Sequence, residues 1–134
     1  MPRATNTATP RSARGKLRSM RSSDAFRDFA LDQLSGVPRV RARAMFGGIG
    51  IYSGEVFFAL IASDVLYLKV DDSNRAQYAA AGSAPFRPYP DRPMTMPYYN
   101  VPVGVLENPR ELAAWAMTSV RIAAAAAGKS RKRK

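Results

Sequence analysis

Positions alternate with a period of two over residues 40–46 and 65–70, residues 56–62 between them are apolar throughout, and the flanking stretches repeat at helical spacing. Val40, Ala42, Ala44 and Phe46 share one side of a strand, with Arg39, Arg41 and Arg43 on the other. Ile49, Gly50, Ile51 and Tyr52 begin a second strand, and residues 56–62 form a third that is apolar on both faces. There Val56, Phe58 and Leu60 oppose Phe57, Ala59 and Ile61, so the strand is expected at the centre, covered twice by helices or by another subunit. Ser63-Asp64 turns the chain into residues 65–70, where Leu66, Leu68 and Val70 oppose Val65, Tyr67 and Lys69. Connections this short make successive strands antiparallel neighbours.

Helices are expected on either side of this β segment. Ser22 or Ser23 caps one whose Asp24 suits the positive end of the helix dipole; Phe26 and Phe29 are its core candidates, followed by Ala30 and Leu34. Ser35-Gly36 and Val37-Pro38 end it. Asn74 and its neighbours cap a short helix over residues 75–81, closed by Gly82. Residues 85–96 form a proline-rich connection laid over the sheet, and residues 96–101 a strand whose Pro97 and Pro102 suit an edge or an end. Asn108-Pro109-Arg110-Glu111 opens the last helix with a capping side chain, proline at the first position and glutamate to close a capping box. Leu112, Trp115, Ala116, Ser119, Ile122 and Ala123 make its apolar stripe, and it is expected to end near Gly128. The pattern predicts one α+β domain over residues 22–128, with an antiparallel sheet of about five strands and helices at both ends.

Four glycines, Gly47, Gly48, Gly50 and Gly54, raise the possibility of a phosphate-binding loop. A dinucleotide fingerprint must follow a strand and open a helix, and a P-loop must end in Gly-Lys-Ser/Thr. Neither context exists here, because β-branched and aromatic residues follow each glycine group, and Ser53-Gly54 is a tight-turn signal. Two successive hairpins are the better reading. Asp71-Asp72-Ser73-Asn74 lacks the alternating ligands, glycine and distal glutamate of a calcium loop, and reads as helix capping. Arg87, Tyr89 and Arg92 interleave cations with aromatics as a base-stacking surface does, but packing of the loop is preferred because Asp91 sits among them. Arg39, Arg41 and Arg43 suit either an anion groove or a solvated strand face, the commoner use of such a pattern.

Charge changes the picture more than composition does. The 134-residue chain has a formal net charge of +11, and its excess lies at the ends. Residues 1–21 carry Arg3, Arg11, Arg14, Lys16, Arg18 and Arg21 with no acid, and residues 129–134 carry Lys129, Arg131, Lys132, Arg133 and Lys134. Residues 22–128 hold ten basic and ten acidic side chains, so the predicted body is neutral. The two ends read as unpatterned basic arms, the first disordered, that grip nucleic acid without reading its sequence, because phosphate contacts release condensed counterions.

The chain contains no cysteine and no histidine, which removes disulfides, thiolate and imidazole catalysis and the usual zinc sites. Lys69 is the one lysine within residues 22–128, and neither Gly-x-Ser-x-Gly nor Ser-x-x-Lys occurs. A non-enzymatic protein without cofactor or metal is expected. No uncharged run is long enough to span a bilayer and no secretory h-region precedes the domain, so a cytoplasmic protein without membrane contact is expected.

Arg43-Ala-Met-Phe-Gly-Gly-Ile-Gly-Ile-Tyr, Phe58-Ala-Leu-Ile, Leu66-Tyr-Leu-Lys-Val-Asp, Met96-Pro-Tyr-Tyr-Asn-Val-Pro and Leu112-Ala-Ala-Trp, in this order, resemble the N-terminal domain of the TfoX/Sxy family. The resemblance spans about residues 23–120. It implies an α+β domain with an antiparallel sheet, no established catalytic residues, and a role in natural competence (DNA transformation) and transcription regulation, with a protein partner in the transcription machinery. The helical C-terminal domain often present in competence members has no counterpart in this sequence, which carries the basic ends instead. The alternative is a protein-interaction or chaperone-like module that forms a homodimer through its sheet and binds no nucleic acid.

Overall fold

A computed structural model describes residues 21–45 and 47–132, with side chains described through residue 128. Helix α1 (Asp24–Gln33) is followed by strands β1 (Val40–Met45), β2 (Gly48–Ser53), β3 (Val56–Ala62) and β4 (Val65–Lys69). Helix α2 (Arg75–Ala80), strands β5 (Pro85–Phe86) and β6 (Met96–Asn100), the short helix α3 (Val103–Leu106) and the long helix α4 (Pro109–Lys132) complete the order. The strands form one sheet in the order β1-β2-β3-β4-β6-β5, antiparallel at every junction. The architecture is α+β, as the sequence predicts. The sheet gains a sixth member because Pro85 and Phe86, expected in the connection, pair with β6. This leaves β6 inside the sheet, with Pro97 near its start.

The turns expected at Ser53-Gly54 and Ser63-Asp64 form, and each has a local cause. The β2–β3 loop is Gly54-Glu55, and Gly54 takes φ +60, which a glycine adopts without steric cost at the first position of a two-residue hairpin turn. Its N–H donates to the carbonyl of Arg39 at 3.0 Å, and a Cβ there would lie 2.7 Å from the Arg39 guanidinium. In the β3–β4 turn Ser63 and Asp64 take φ 52 and 60, left-handed values that side chains other than glycine adopt at a cost. Asp64 is held there from outside: its N–H donates to Ser22 Oγ at 3.0 Å, and its Oδ1 accepts the Ser23 N–H at 2.8 Å. Ser23 in turn caps α1, its Oγ accepting from the Phe26 N–H.

One face of the sheet carries the main core. Leu66, Leu68 and Val70 meet Leu112, Ala116 and Ala123 of α4 and Ala30 and Leu34 of α1, all buried. The spacing of Ala30 and Leu34 continues the ridge begun by Phe26, which leaves Phe29 to one side and 41% exposed, so Phe29 is not the core residue that its spacing suggests. Trp115 anchors α4 as expected, standing edge-on to the Tyr78 ring at 4.8 Å, with Tyr99 5.9 Å beyond Tyr78. Ser119 is fully buried on the same stripe and satisfies its hydroxyl by donating to the Lys69 carbonyl at 2.8 Å.

The alternation expected for β3 breaks in the middle. The pairing with β2 shifts between Ile51 and Tyr52, where Ala59 and Phe57 are the successive partners, and Phe58 is the extra residue. Phe58, Ala59 and Ile61 therefore join the helix-side core, while Leu60 and Ala62 join a second cluster with Tyr67, Phe86 and Tyr98. The strand is central and apolar on both faces as predicted, but among the described residues helices cover one face; the second cluster lies on the opposite side with Phe86 of β5.

Three termini differ from expectation. Asn108 Oδ1 accepts from the Glu111 N–H at 3.1 Å, but the Asn108 N–H donates to the Val105 carbonyl of α3, so the capping box is only half formed. Asn74 does not cap α2 with its side chain; its Oδ1 accepts from Asp71, whose own carboxylate holds the Ser73 N–H. Helix α4 runs through Gly128 to Lys132, since Gly128 keeps a φ outside the left-handed region and has open space around it.

Candidate interaction surface

The sheet face opposite the helices contains an apolar hollow lined in part by Gly48. Pairing sets Arg41 opposite Tyr52, Arg43 opposite Gly50 and Met45 opposite Gly48, and strand periodicity directs all six positions to the same face. Gly48 and Gly50 contribute no side chain to it, and both are buried. A Cβ on Gly50 would come within 2.8 Å of Met45 Cε and 3.1 Å of Phe57 Cε1, so the Met45 and Phe57 side chains close over the glycine backbone. Leu60, Phe86, Pro88 and Met96 supply further walls of a cavity of about 210 Å³, apolar throughout. The glycine cluster thus serves hairpin turns at Gly47 and Gly54, lines the hollow at Gly48 and lets Met45 and Phe57 close over the backbone at Gly50; it leads into β2, not into a helix.

An aromatic row lies beside the hollow. The Tyr52 and Phe57 rings are 5.3 Å apart, and Phe57 and Tyr98 are 5.7 Å apart. Cations sit on both ends of the row: the Arg41 guanidinium lies 4.8 Å from the Tyr52 centroid and Lys69 Nζ 5.1 Å from that of Tyr98. Arg41 also donates from Nε to the Gly54 carbonyl at 3.0 Å and approaches Glu55 at 3.9 Å. Burial pushes the Tyr98 hydroxyl up to about 12, with a smaller push from Tyr52. Arg43 is exposed and forms no ion pair among the described residues. The surface combines an apolar recess with a cationic border. Among the described residues no acid or base lines the recess.

The structure describes only part of what the sequence singles out for nucleic-acid contact. Arg3, Arg11, Arg14, Lys16, Arg18, Arg133 and Lys134 lie outside the described residues. Arg21 is exposed immediately before the α1 cap. Lys129, Arg131 and Lys132 belong to the last turns of α4, so these bases ride on a helix where an unpatterned tail was expected. The cause is the alanine run from Ala123 to Ala127, whose high helix propensity carries the helix past a single glycine.

The other candidates resolve into structure. Asp71 and Asp72 are occupied, Asp71 with Ser73 and Asp72 with the Arg75 guanidinium. No group of three or more potential metal-ligating side chains occurs among the described residues. In the 85–96 connection Arg87 donates to the Arg92 and Pro90 carbonyls and Arg92 lies over its own loop neighbour Tyr89 at 4.8 Å, so these cations fold back on the loop. Sequence reasoning missed the hollow. Its signal was Gly48, a strand glycine paired with Met45 across the hairpin.

The sequence profile described as the TfoX N-terminal domain matches residues 32–123. That span runs from the end of α1 through the whole sheet to the last buried residue of α4, Ala123, and includes every residue of the hollow. Comparison with curated proteins gives no match.

Proposed function

The chain belongs to the TfoX N-terminal domain family, and from that premise we propose that it is a non-enzymatic regulatory module of the competence and transcription type. It works through contact with a protein partner and is held near nucleic acid by its basic ends. The observation that carries this reading is the partition of charge. A body with ten bases and ten acids is flanked by eleven bases and no acid, six in residues 1–21 and five in residues 129–134. A neutral body gives a polyanion no net attraction, whereas clustered cations at both ends bind phosphates of any sequence and any duplex register.

The same reading makes the protein non-catalytic and cytoplasmic. Supporting it, the chain lacks histidine and cysteine, and Lys69 is engaged with the Tyr98 ring. No helix among the described residues is long and apolar enough to cross a membrane.

The test is a titration of a fluorescent DNA duplex with the full chain and with a full-length variant in which the eleven terminal bases are replaced by glutamine. Loss of binding in the variant, with its fold intact by circular dichroism, supports the reading. Equal binding by both proteins locates the grip in the body and refutes it. Absence of binding by either favours the chaperone-like interaction module.

A further inference from the structure

We propose that the apolar hollow lined by Gly48, Met45, Phe57, Leu60 and Met96 is an anchor site for one bulky apolar side chain, carried by an acidic segment of a protein partner. The proposal rests on the regulatory reading above and names the surface through which the protein contact is made.

Size selects the kind of occupant. A cavity of about 210 Å³ is below the roughly 300–1,000 Å³ usual for small-molecule and cofactor sites, yet it accommodates a single leucine-, methionine- or phenylalanine-sized group. Chemistry narrows it further. The lining offers no hydrogen-bond partner, so a nucleobase or sugar would be desolvated there without compensation, whereas a hydrocarbon side chain loses nothing. Two of the walls are Met45 and Met96, flexible side chains that adapt to differently shaped apolar groups.

Charge selects the partner. Arg41 and Arg43 project from β1 on the same face as Met45, and Lys69 lies across the sheet over Tyr98. Glu55 is the acid paired at this border, reaching Arg41 at 3.9 Å. Arg43 is left exposed and ready to meet a carboxylate. The chain's own N-terminal segment, with six bases and no acid in residues 1–21, is repelled from this border, and a second copy would bring the same cations face to face. An acidic segment has neither penalty. Its apolar side chain would fill the recess, and its flanking carboxylates would meet Arg41 and Arg43, a hydrophobic anchor inside a polar rim.

The experiment uses the full chain labelled with ¹³C at its methionine methyl groups. The probe is a short synthetic peptide of aspartate and glutamate with one central phenylalanine. Two controls replace the phenylalanine by alanine or all acids by lysine. The proposal expects saturable shifts of the Met45 and Met96 methyl signals with the first peptide, an unmoved Met117 signal on the helix side, and binding at the hollow weaker by about tenfold or more with either control. Arg43→Ala keeps the fold and weakens the first peptide several-fold. Gly48→Val adds a side chain to the lining and abolishes the shifts; should it perturb the fold, Leu60→Met, which alters the wall at nearly constant volume, changes affinity without unfolding.

Equal shifts from the phenylalanine and alanine peptides overturn the proposal, because acidic peptide on the basic ends would then explain the signal. Met45 and Met96 signals that depend on protein concentration, with a dimer in sedimentation, assign the face to a second copy and also overturn it. Duplex DNA is titrated into the same sample. If DNA binds while the first peptide leaves Met45 and Met96 unmoved, the anchor site fails and the regulatory reading stands; if DNA does not bind either, both fall.

Discussion

The Asp64 carboxylate accepts the backbone N–H of Ser23 at 2.8 Å, joining the β3–β4 turn to the first turn of α1 across 41 positions of sequence. Ser22 and Ser23 meet the turn from their side, with Ser22 Oγ accepting the Asp64 N–H and Ser23 Oγ approaching the same carboxylate at 3.3 Å. The contact secures two local features at once: a turn with two non-glycine residues at positive φ, and the N-terminus of the helix that shields the core at Ala30 and Leu34. Asp64→Ala removes it and is expected to cost about 1 kcal/mol, in the range of a lost helix cap. Urea denaturation reads this as a lower midpoint at unchanged slope. Asp64→Asn, which keeps an acceptor and tolerates the left-handed conformation, loses less.

The glycines of the β segment differ in what they tolerate. Gly54 combines φ +60 with the Arg39 guanidinium 2.7 Å from where a methyl group would sit, whereas the atoms nearest a methyl on Gly50 include the flexible end of Met45. Gly54→Ala is therefore expected to destabilise by about 1–2 kcal/mol and Gly50→Ala by less, since Met45 swings aside. Thermal denaturation of the two variants ranks them directly.

Gly128 separates two descriptions of the C-terminus. As a helix terminator it would need a left-handed conformation and would resist a side chain; inside α4 it weakens the helix by lacking one. Gly128→Ala should raise helical content and add up to about 1 kcal/mol of helix stability. Circular dichroism measures it, and a loss of helix would place the end of α4 before the basic residues.

Alkali should unfold the protein through Tyr98. Its hydroxyl is pushed from 10.0 up to about 12 by burial beside Phe57, with a smaller push from Tyr52. From pH about 10 the unfolded chain gives up this proton while the folded chain retains it until about 12, so each increase in pH through that window favours unfolding. Tyr78, fully buried, is raised by the same cause, with Ser119 opposing it in part, and adds to the loss. Denaturation between pH 9 and 12 should show stability falling by about 2 kcal/mol or more, with a shallower fall in Tyr98→Phe.

Most of the secondary structure was legible because local chemistry and periodicity agree. Ser53-Gly54 specified a hairpin, Asn108-Pro109 opened α4, and Leu66, Leu68 and Val70 alternated cleanly into the core. What escaped depends on partners. The bulge at Phe58 has no marker in an all-apolar strand, so residues beyond it were assigned to the wrong face. Phe29 carries the hydrophobicity of a core residue but lies off the ridge that Ala30 and Leu34 present to α4. The two residues of β5 are too few to show a period. The hollow was hidden because glycines declare turns more readily than they declare the absence of a side chain on a sheet face.

The central claim, that the cationic ends and not the neutral body grip nucleic acid, is tested most directly by the salt dependence of duplex binding by the full chain. If roughly six terminal charges engage phosphates, log K falls against log salt with a slope of about −5. The same slope, or none, in both the full chain and its terminally neutralised variant would contradict it.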